Sequence, residues 1–478
     1  MTSRTSGPRR VTRRRVAGAA GVAAVLGAAC GRTASPAGGV SDQARGAPSK
    51  APVTVTVWHA ANAITDQGRE LLRAFEAAHP QITVDWQVVE WAGAGQMLSR
   101  LPVAAASGDL PDSFRGHWSN FGNIIHQGWV RPLDAQMRQA RLTRRDFTPS
   151  TWELSSYRGQ IYAMPSYAYT LAPWWNKDLL RRSGLDVERL PATFDQVMDA
   201  SVRLWRNGQA GQGGAADRPG AATDGGQGPG STTLGWSHRT STPGHFVFLF
   251  GAQVYDAARQ RVTPDHPGVI EALQWLIELD KRQGGYQRVE QVFAAGGVNP
   301  FYTGRLAVTV NQPRSFPSLA AQAPSLDLGV SLYPSKRGSL QEVAHTSIQA
   351  EMLPITRESK HPDETWTLLK WLYVERAAEW ASRTLNTPCL LGALDAFYEQ
   401  VAQSFGGDRR LVPYLGVYKE MSRRGTAHWP TIPTTNEYLA AFTAAWHEVL
   451  QEKVTAEAAM KELARRQQLE LEQALRAG

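Results

Sequence analysis

The sequence lacks any apolar run long enough to cross a membrane as a helix, and it has only two cysteines, Cys30 and Cys389, in 478 residues. Neither cysteine has a histidine or a second cysteine at the close spacing of a structural zinc site. The eleven histidines are scattered, so each is better interpreted as a surface or hydrogen-bonding residue than as a metal ligand. These absences exclude a membrane-spanning protein and predict that no metal is bound.

Signatures of common enzymes are also missing. The chain contains no Gly-x-Ser-x-Gly elbow, no phosphate-binding glycine-rich loop and no His-Glu-x-x-His motif. Glycoside hydrolysis needs two carboxylates across the scissile bond, and the acids beside aromatic residues, Glu90, Asp112 and Glu153, lack a suitable spacing. We therefore expect no catalytic residue, no cofactor and no enzymatic activity. A secreted carbohydrate-active enzyme or a lectin is a distant alternative.

Positive charge is concentrated at the N-terminus. The formal net charge of the chain is +8, and residues 1–29 contain six arginines and no acidic residue. The remainder therefore carries a net charge of only about +2. A nucleic-acid-binding surface needs Lys and Arg clustered in folded sequence, so we expect no nucleic-acid partner.

The N-terminal segment has the pattern of an export signal, with arginines before an uncharged run over 16–29. "TRRRVA" resembles a twin-arginine signal, and the ordinary secretory route stays open. "LGAACG" resembles a bacterial lipobox, although its leucine lies four residues before Cys30 rather than three. We predict that Cys30 is lipidated, that 30–52 is a flexible tether, and that the protein is anchored at the outer face of the cytoplasmic membrane. Cys389 then has no partner for a disulfide.

Strand and helix patterns alternate from Val53 onward. "VTVTVWHA" alternates as a strand does, "DQGRELLRAFEAA" has helical apolar spacing, and "ITVDWQVV" is a second strand, which together predict a parallel βαβ unit. "QIYAMP" and "RLAVTVN" are further strands. "TFDQVMDASVRLW" is a helix opened by a Thr193 and Gln196 capping box, and "GVIEALQWLIELDKRQGG" is a helix closed by Gly284 and Gly285. The predicted fold class is α/β.

Several motifs occur in an order that is typical of one family. They include "SGDLPD", "GQIYAMP", "WWNKDLL" and "FYTGRLAVTVNQP". From about Val53 to the C-terminus the chain resembles the extracellular solute-binding proteins of bacterial sugar ABC importers, the family of the maltose-binding protein. The resemblance implies a type II, two-lobed periplasmic-binding-protein fold in which each lobe is a mixed sheet flanked by helices and the ligand binds in the cleft between them. It also implies delivery of a sugar to ABC permease subunits by hinge closure, and we expect a monomer.

The resemblance also implies where the lobes begin and end. The N-terminal lobe is predicted to comprise 53–166 and 338–392, and the C-terminal lobe 167–337 and 393–478. The chain is predicted to cross between lobes just after Pro165, near 334–338 and near 391–396. A Gly- and Ala-rich segment, 207–230, interrupts the C-terminal lobe and is predicted to be a disordered loop.

Candidate ligand-binding residues follow from the chemistry of sugars. A sugar has an apolar face ringed by hydroxyls, so its site needs aromatic plates with polar groups at their edges. The stretch "PSYAYTLAPWWNKD", 165–178, supplies such residues, and others lie at strand ends, where loops carry function. The predicted ligand-binding residues are Trp58, His59, Asn62, Trp91, His117, Trp118, Ser119, Tyr167, Tyr169, Trp174, Trp236, His238, Asn311, Arg314, His345, Thr346, His428 and Trp429.

The identity of the ligand stays open between two classes. Because Trp, Tyr, His and Asn dominate the candidates, we predict a neutral mono- or oligosaccharide. A glycerophosphodiester is the alternative, and it would need a cation such as Arg115, Arg239 or Arg314 in the cleft. Each aromatic candidate could instead pack in a core. Trp175 and Asn176 are expected to end a strand and to cap a helix. The tryptophans predicted to pack in the core are Trp86, Trp205, Trp275, Trp366, Trp371, Trp380 and Trp446.

Overall fold

The structure, a computed structural model, describes residues 51–59, 66–89, 95–210, 233–294, 298–406, 408 and 410–477. The predicted signal, Cys30 and the tether up to residue 50 lie outside these residues. Two candidate ligand-binding residues, Asn62 and Trp91, lie outside them as well.

Helices and strands alternate along the described chain. The strands are β1 (Val53–His59), β2 (Ile82–Val88), β3 (Ser113–Phe114), β4 (Gly116–His117), β5 (Ser156–Tyr157), β6 (Gln160–Ile161), β7 (Ala163–Tyr169), β8 (Ala172–Asn176), β9 (Tyr255–Asp256), β10 (Arg261–Val262), β11 (Val308–Asn311), β12 (Leu328–Val330), β13 (Gln349–Pro354) and β14 (Thr387–Pro388). The α-helices are α1 (Asp66–Ala78), α2 (Gly95–Ser107), α3 (Phe121–His126), α4 (Asp134–Gln139), α5 (Pro149–Leu154), α6 (Lys177–Arg182), α7 (Phe194–Ala210), α8 (Pro243–Phe246), α9 (Pro267–Arg282), α10 (Tyr286–Ala294), α11 (Phe316–Gln322), α12 (Pro362–Lys370), α13 (Ala377–Thr384), α14 (Leu394–Ser404), α15 (Leu415–Arg424), α16 (Thr435–Leu450) and α17 (Ala456–Ala477).

The first sheet has the strand order β2, β1, β3, and both pairings are parallel. Val53 of β1 lies opposite Ile82 of β2, and the intervening helix α1 buries Leu71, Leu72 and Phe75. This arrangement confirms the predicted βαβ unit. The polypeptide leaves β3 at the carboxyl end of the sheet, where loops are free to carry ligand-binding residues.

The second sheet has the order β14, β7, β13, β4, with antiparallel pairings. The register between β7 and β13 shifts between Glu351 and Met352, and Met352 lies opposite Pro165. Proline has no amide hydrogen to donate to the ladder, which accounts for the irregularity at this point. The single strand predicted from "QIYAMP" is divided at Tyr162 into β6, which pairs with β5, and β7. β7 continues to Tyr169, three residues past the predicted end of the N-terminal lobe segment at 166.

The third sheet has the order β11, β8, β12, and its pairings are antiparallel. β8 is the central strand, and its neighbouring residues Trp174 and Trp175 are 0% and 1% exposed. Successive side chains of a strand point to opposite faces, so both faces of this sheet are covered. Only Thr170 and Leu171 separate β7 in the second sheet from β8 in the third.

The N-terminal caps of two helices, α7 and α6, are those predicted from the sequence. Thr193 Oγ1 accepts a hydrogen bond from the Gln196 amide, and Gln196 Oε1 accepts one from the Thr193 amide, each at 3.2 Å, which confirms the capping box of α7. Asn176 caps α6 by accepting from the Leu179 amide at 3.1 Å. Helix α7 continues through Ala210, so the first four residues of the predicted loop are helical, and 211–230 lie outside the described residues.

Large aromatic residues fill the core. The seven tryptophans predicted to pack there are confirmed as buried or, for Trp205 and Trp275, partly buried against the core.

Cys389 is buried, its carbonyl accepts from the Thr148 amide at 2.8 Å, and burial raises the pKa of its thiol. Over the described residues, no helix combines the length and the apolar character that crossing a membrane requires.

Candidate functional site

A buried ion pair lies where β4, β7 and β13 meet. Arg115, between β3 and β4, donates from Nε and Nη2 to the two carboxylate oxygens of Glu351 on β13. Nη2 also donates to the hydroxyl of Tyr169, at the end of β7, at 2.8 Å. The side chains of Arg115 and Glu351 are only 4% and 5% exposed. Charge-assisted bonds between desolvated groups are strong, so this pair holds the ends of three strands together.

The turn after β4 places aromatic and polar side chains beside the ion pair. The ring of His117 lies 5.3 Å from that of Trp118 and 6.3 Å from that of Tyr169. His117 Nδ1 lies 2.9 Å from Ser119 Oγ. Burial, and then the charge of Arg115, lower the pKa of His117 to about 3. The imidazole is therefore neutral at physiological pH and can both donate and accept hydrogen bonds.

The residues after β11 bring a second cation close to this turn. Asn311 ends β11, and Arg314 lies in the following 3₁₀ turn, Pro313–Ser315. Burial, and then the charge of Arg115, lower the pKa of the Arg314 guanidinium. Asn311 pairs with Ala172, the first residue of β8, and only Thr170 and Leu171 separate Ala172 from Tyr169 at the end of β7. The residues after β11 therefore begin beside the end of a strand of the second sheet.

Two donors among these residues have no hydrogen-bond partner within the described part of the chain. They are the indole Nε1 of Trp118 and the side-chain amide Nδ2 of Asn311, both buried atoms. A buried donor without a partner costs roughly 1–3 kcal/mol. A bound molecule that offers oxygen acceptors would remove this cost. We call His117, Trp118, Ser119, Tyr169, Asn311 and Arg314 the cleft cluster.

Comparison with known proteins shows the family of the chain. The family model described as bacterial extracellular solute-binding protein matches residues 61–379. The chain belongs to this family.

Similar proteins differ in how much of the chain they match. The mannitol-binding protein of Pseudomonas aeruginosa is 28% identical over 220 residues, which cover 45% of this chain and 45% of that protein, less than half its length. The sn-glycerol-3-phosphate-binding periplasmic protein of Escherichia coli is 22% identical over 368 residues, which cover 74% of this chain and 78% of that protein. The solved structure of the sugar-binding protein MalE from Xanthomonas citri matches with a TM-score of 0.68 and 18% identity, covering 89% of this chain and 98% of that one. The fold is the α/β, type II, two-lobed fold of such proteins.

Three predicted site residues of this solute-binding protein contact its core. The ring of Trp58 lies under the guanidinium of Arg100, at 4.4 Å, and the residue is 7% exposed. His59 stacks on Trp86 with ring centroids 5.1 Å apart. Tyr167 packs edge-on against Tyr373 at 5.8 Å. A role for these three in ligand binding stays a prediction.

Three predicted tryptophans of this solute-binding protein are fully buried. Trp174 donates from Nε1 to the hydroxyl of Tyr418, and Trp429 donates from Nε1 to the carbonyl of Gly244 at 2.9 Å. The ring of Trp236 lies 6.4 Å from that of Trp175. All three residues are 0% exposed, so a ligand could stack on their rings only after a rearrangement.

The predicted histidines lie in different surroundings. His238 is held by Asp280 at Nδ1 and by Glu290 at Nε2, the latter at 2.9 Å, and stacks on Tyr286. Both of its ring nitrogens are therefore already used by the protein.

His345 and His428 line a separate cavity of about 390 Å³, together with Phe248 and Tyr255. Thr346, next to His345, is buried. Burial lowers the pKa of His428, whose Nδ1 lies 2.9 Å from the carbonyl oxygen of Trp429. The lining of this cavity includes no residue of the cleft cluster, and the role of His345, Thr346 and His428 in ligand binding stays a prediction.

Sequence reasoning missed Glu351, which positions Arg115 and, through it, Tyr169. A signal was present, because Glu351 is the one acid in a strand that is apolar apart from it and Gln349, and buried carboxylates are rare unless paired. Arg115 was considered only as an anion ligand, whereas Glu351 already compensates its charge. Over the described residues, no group of three or more His, Cys, Asp or Glu side chains could hold a metal ion.

Proposed function

We propose that this protein is the substrate-binding lipoprotein of an ABC importer and that it captures a sugar, a mono- or oligosaccharide, in the cleft between its lobes. The observation that carries the proposal is the cleft cluster. The partly exposed ring of Tyr169 suits the apolar face of a sugar, and the hydroxyl, imidazole and amide groups of the cluster suit the hydroxyls at the edge. Trp118 is 4% exposed, so a ligand would stack on its ring only after a rearrangement of the surrounding residues. The names of the relatives support this proposal, because one is a mannitol-binding protein and a structural neighbour is a sugar-binding protein.

Binding would work by closure of the two lobes on the ligand. A ligand favours the closed state only through contacts that it makes with both lobes at once. His117, Trp118 and Tyr169 would supply one wall, and Asn311 and Arg314 the other. The two-residue connection between β7 and β8 supports this mechanism, because it limits the crossing to a few backbone dihedral angles. The membrane permease would then recognise the closed form.

The location of the protein follows from its N-terminal segment. We propose export, lipidation of Cys30 and attachment to the outer face of the cytoplasmic membrane by the tether that follows. The description of the family as extracellular supports export. The partners would be the sugar and the permease subunits, with the protein acting as a monomer without a cofactor and without catalytic activity.

A glycerophosphodiester is the second candidate ligand. The Escherichia coli relative, which binds sn-glycerol 3-phosphate by its name, favours this alternative. Both candidates are rich in hydroxyl groups and would use the same aromatic and amide side chains.

A ligand screen tests the proposed function. Thermal unfolding of the purified protein would be measured with polyols, mono- and oligosaccharides and glycerophosphodiesters, and each compound that raises Tm would be titrated by calorimetry. We expect saturable 1:1 binding of at least one sugar and a smaller radius of gyration by solution scattering. Turnover of an oligosaccharide without saturable binding, or binding without contraction, would contradict the proposal.

A further inference from the structure

The cleft cluster contains one cation more than it contains anions. Arg115 is compensated by Glu351, and Arg239, outside the cluster, lies 3.7 Å from the carboxylate of Glu290. Arg314 differs from both. Among the described residues, no carboxylate oxygen lies within 4.0 Å of its guanidinium. With His117 neutral, the cluster and its ion pair together have a net charge of +1.

The contacts of Arg314 within the described chain are with a neutral group. With the Gln312 amide oriented so that its oxygen faces the guanidinium, that oxygen accepts from Arg314 Nε at 2.7 Å and from Nη2 at 3.3 Å. An amide oxygen orients the guanidinium without neutralising it. The planar fork of an arginine can hold a carboxylate or a phosphate through two parallel hydrogen bonds.

The position of Arg314 is unfavourable for the empty protein. The side chain is partly buried, and the nearby charge of Arg115 has the same sign. An arginine cannot shed its proton at physiological pH, so it cannot relieve this repulsion by becoming neutral. An anion bound beside Arg314 would offset both the lost hydration and the repulsion.

The other hydrogen-bonding groups of the cleft cluster indicate which chemical groups the rest of the ligand carries. The unpaired Nδ2 of Asn311 and Nε1 of Trp118 need oxygen acceptors, and Ser119 and His117 can exchange hydrogen bonds with hydroxyl groups. We propose that the ligand is a polyol that carries one anionic oxyacid group, and that Arg314 is the residue that binds this group. The inference rests on the proposed function: among sugars it selects the sugar acids over the neutral sugars, and it is equally met by the second candidate ligand, a glycerophosphodiester.

Matched pairs of ligands test the inference. Glucose would be compared with glucuronate, galactose with galacturonate, their disaccharides with the corresponding uronic-acid disaccharides, and glycerol with glycerol 3-phosphate and bis(glycerol) phosphate. Affinities would be measured by calorimetry at constant ionic strength for the wild type, for Arg314→Gln and for Arg189→Gln. Arg189 is the control, because it is an exposed arginine whose side chain is 91% accessible.

We expect the anionic member of at least one pair to bind at least tenfold more tightly than its neutral partner. Arg314→Gln should weaken that binding about 30-fold or more, the typical effect of removing one partner of a buried charge pair, and Arg189→Gln should leave it unchanged. If the uronates are the tighter ligands, the anionic group is the carboxylate of a sugar acid. If the glycerol phosphates are tighter, it is a phosphate. Without ligand, Arg314→Gln should melt at the same temperature as the wild type or higher, because the substitution removes an uncompensated cation.

Two results would overturn the inference while leaving the proposed function intact. One is tight binding of neutral sugars with no preference for their acids, and the other is an anion preference that survives in Arg314→Gln. A clear loss of Tm in ligand-free Arg314→Gln would also count against it, since that would indicate a structural role. If no member of the panel binds but the wider screen of polyols and saccharides finds a ligand, the inference fails and the proposed function stands. If neither experiment finds a ligand, both fail.

Discussion

Replacing Glu351 by glutamine should lower the free energy of unfolding by about 3–5 kcal/mol. The two side chains of the ion pair are 4% and 5% exposed, so the substitution removes the charge of the carboxylate to which Nε and Nη2 of Arg115 donate, at a position that little water reaches. Glutamine has nearly the size of glutamate, and the loss therefore cannot be attributed to a cavity. The bond from Arg115 to the hydroxyl of Tyr169 remains, but a neutral acceptor cannot replace the lost charge.

Urea unfolding of the ligand-free protein at pH 7, followed by tryptophan fluorescence, measures this loss through the midpoint and slope of the transition. Glu271→Gln is the matched control, because it removes the partner of Lys336 in a surface pair whose side chains are 49% and 46% exposed. Exposed pairs are worth less than about 1 kcal/mol. The difference between the free-energy losses of Glu351→Gln and Glu271→Gln measures how much the burial of the ion pair adds.

A double variant completes the experiment. Arg115→Met combined with Glu351→Met removes both charges and keeps apolar volume, so the double variant should lose less stability than the single variants Arg115→Met and Glu351→Met lose together. If Glu351→Gln costs no more than the surface control, or if the two single losses simply add, the reasoning about a coupled buried pair is refuted.

Trp118→Ala should weaken binding of the ligand about tenfold to a hundredfold, because a desolvated ring contributes roughly 1–3 kcal/mol. Trp152→Ala, on the partly buried tryptophan packed against Phe147 at 5.6 Å, is the control, and equal affinities of the two variants by calorimetry would contradict this assignment. Cys30→Ala should move the protein from the membrane fraction to the medium or periplasm, and continued membrane association in fractionated cells would show that lipid is not the anchor. Burial lowers the pKa of His245 from 6.5 to about 4, so this residue stays neutral in the folded protein while it protonates in the unfolded chain. Stability should therefore fall between pH 6.5 and pH 4, by about 3 kcal/mol for this group, and unfolding curves of His245→Asn should show a smaller fall than those of the wild type.

The sequence predicts those strands, helices and helix caps that depend only on residues close together in the chain. The alternation in β1, the apolar spacing of α1 and the Thr193 capping box each depend on a few neighbouring residues, and the structure has all three. The same holds for Asn176, which caps α6 directly after β8. Short-range backbone and side-chain bonding decides such features, so no knowledge of the rest of the fold is needed.

The cleft cluster depends on contacts that a local pattern does not contain. Arg115 and Glu351 are 236 residues apart in the chain, and only the antiparallel pairing of β13 brings them together. The aromatic stretch at 165–178 shows the same limit. Tyr169 lies in the cluster while Trp174 is fully buried, because β8 is the central strand of its sheet and both of its faces are covered. Composition alone could not distinguish these two environments.

The burial of Cys389 makes the folded protein inert toward thiol reagents. The thiolate is the reactive form of cysteine, and both burial and the raised pKa of this thiol suppress it. A chain produced from Ala51 onward contains no other cysteine. One cysteine introduced at the partly exposed Ser315, next to Arg314 of the cleft cluster, would therefore be labelled alone by a maleimide fluorophore. The native sequence can thus be converted into a single-dye optical sensor for its own ligand without any prior removal of cysteine.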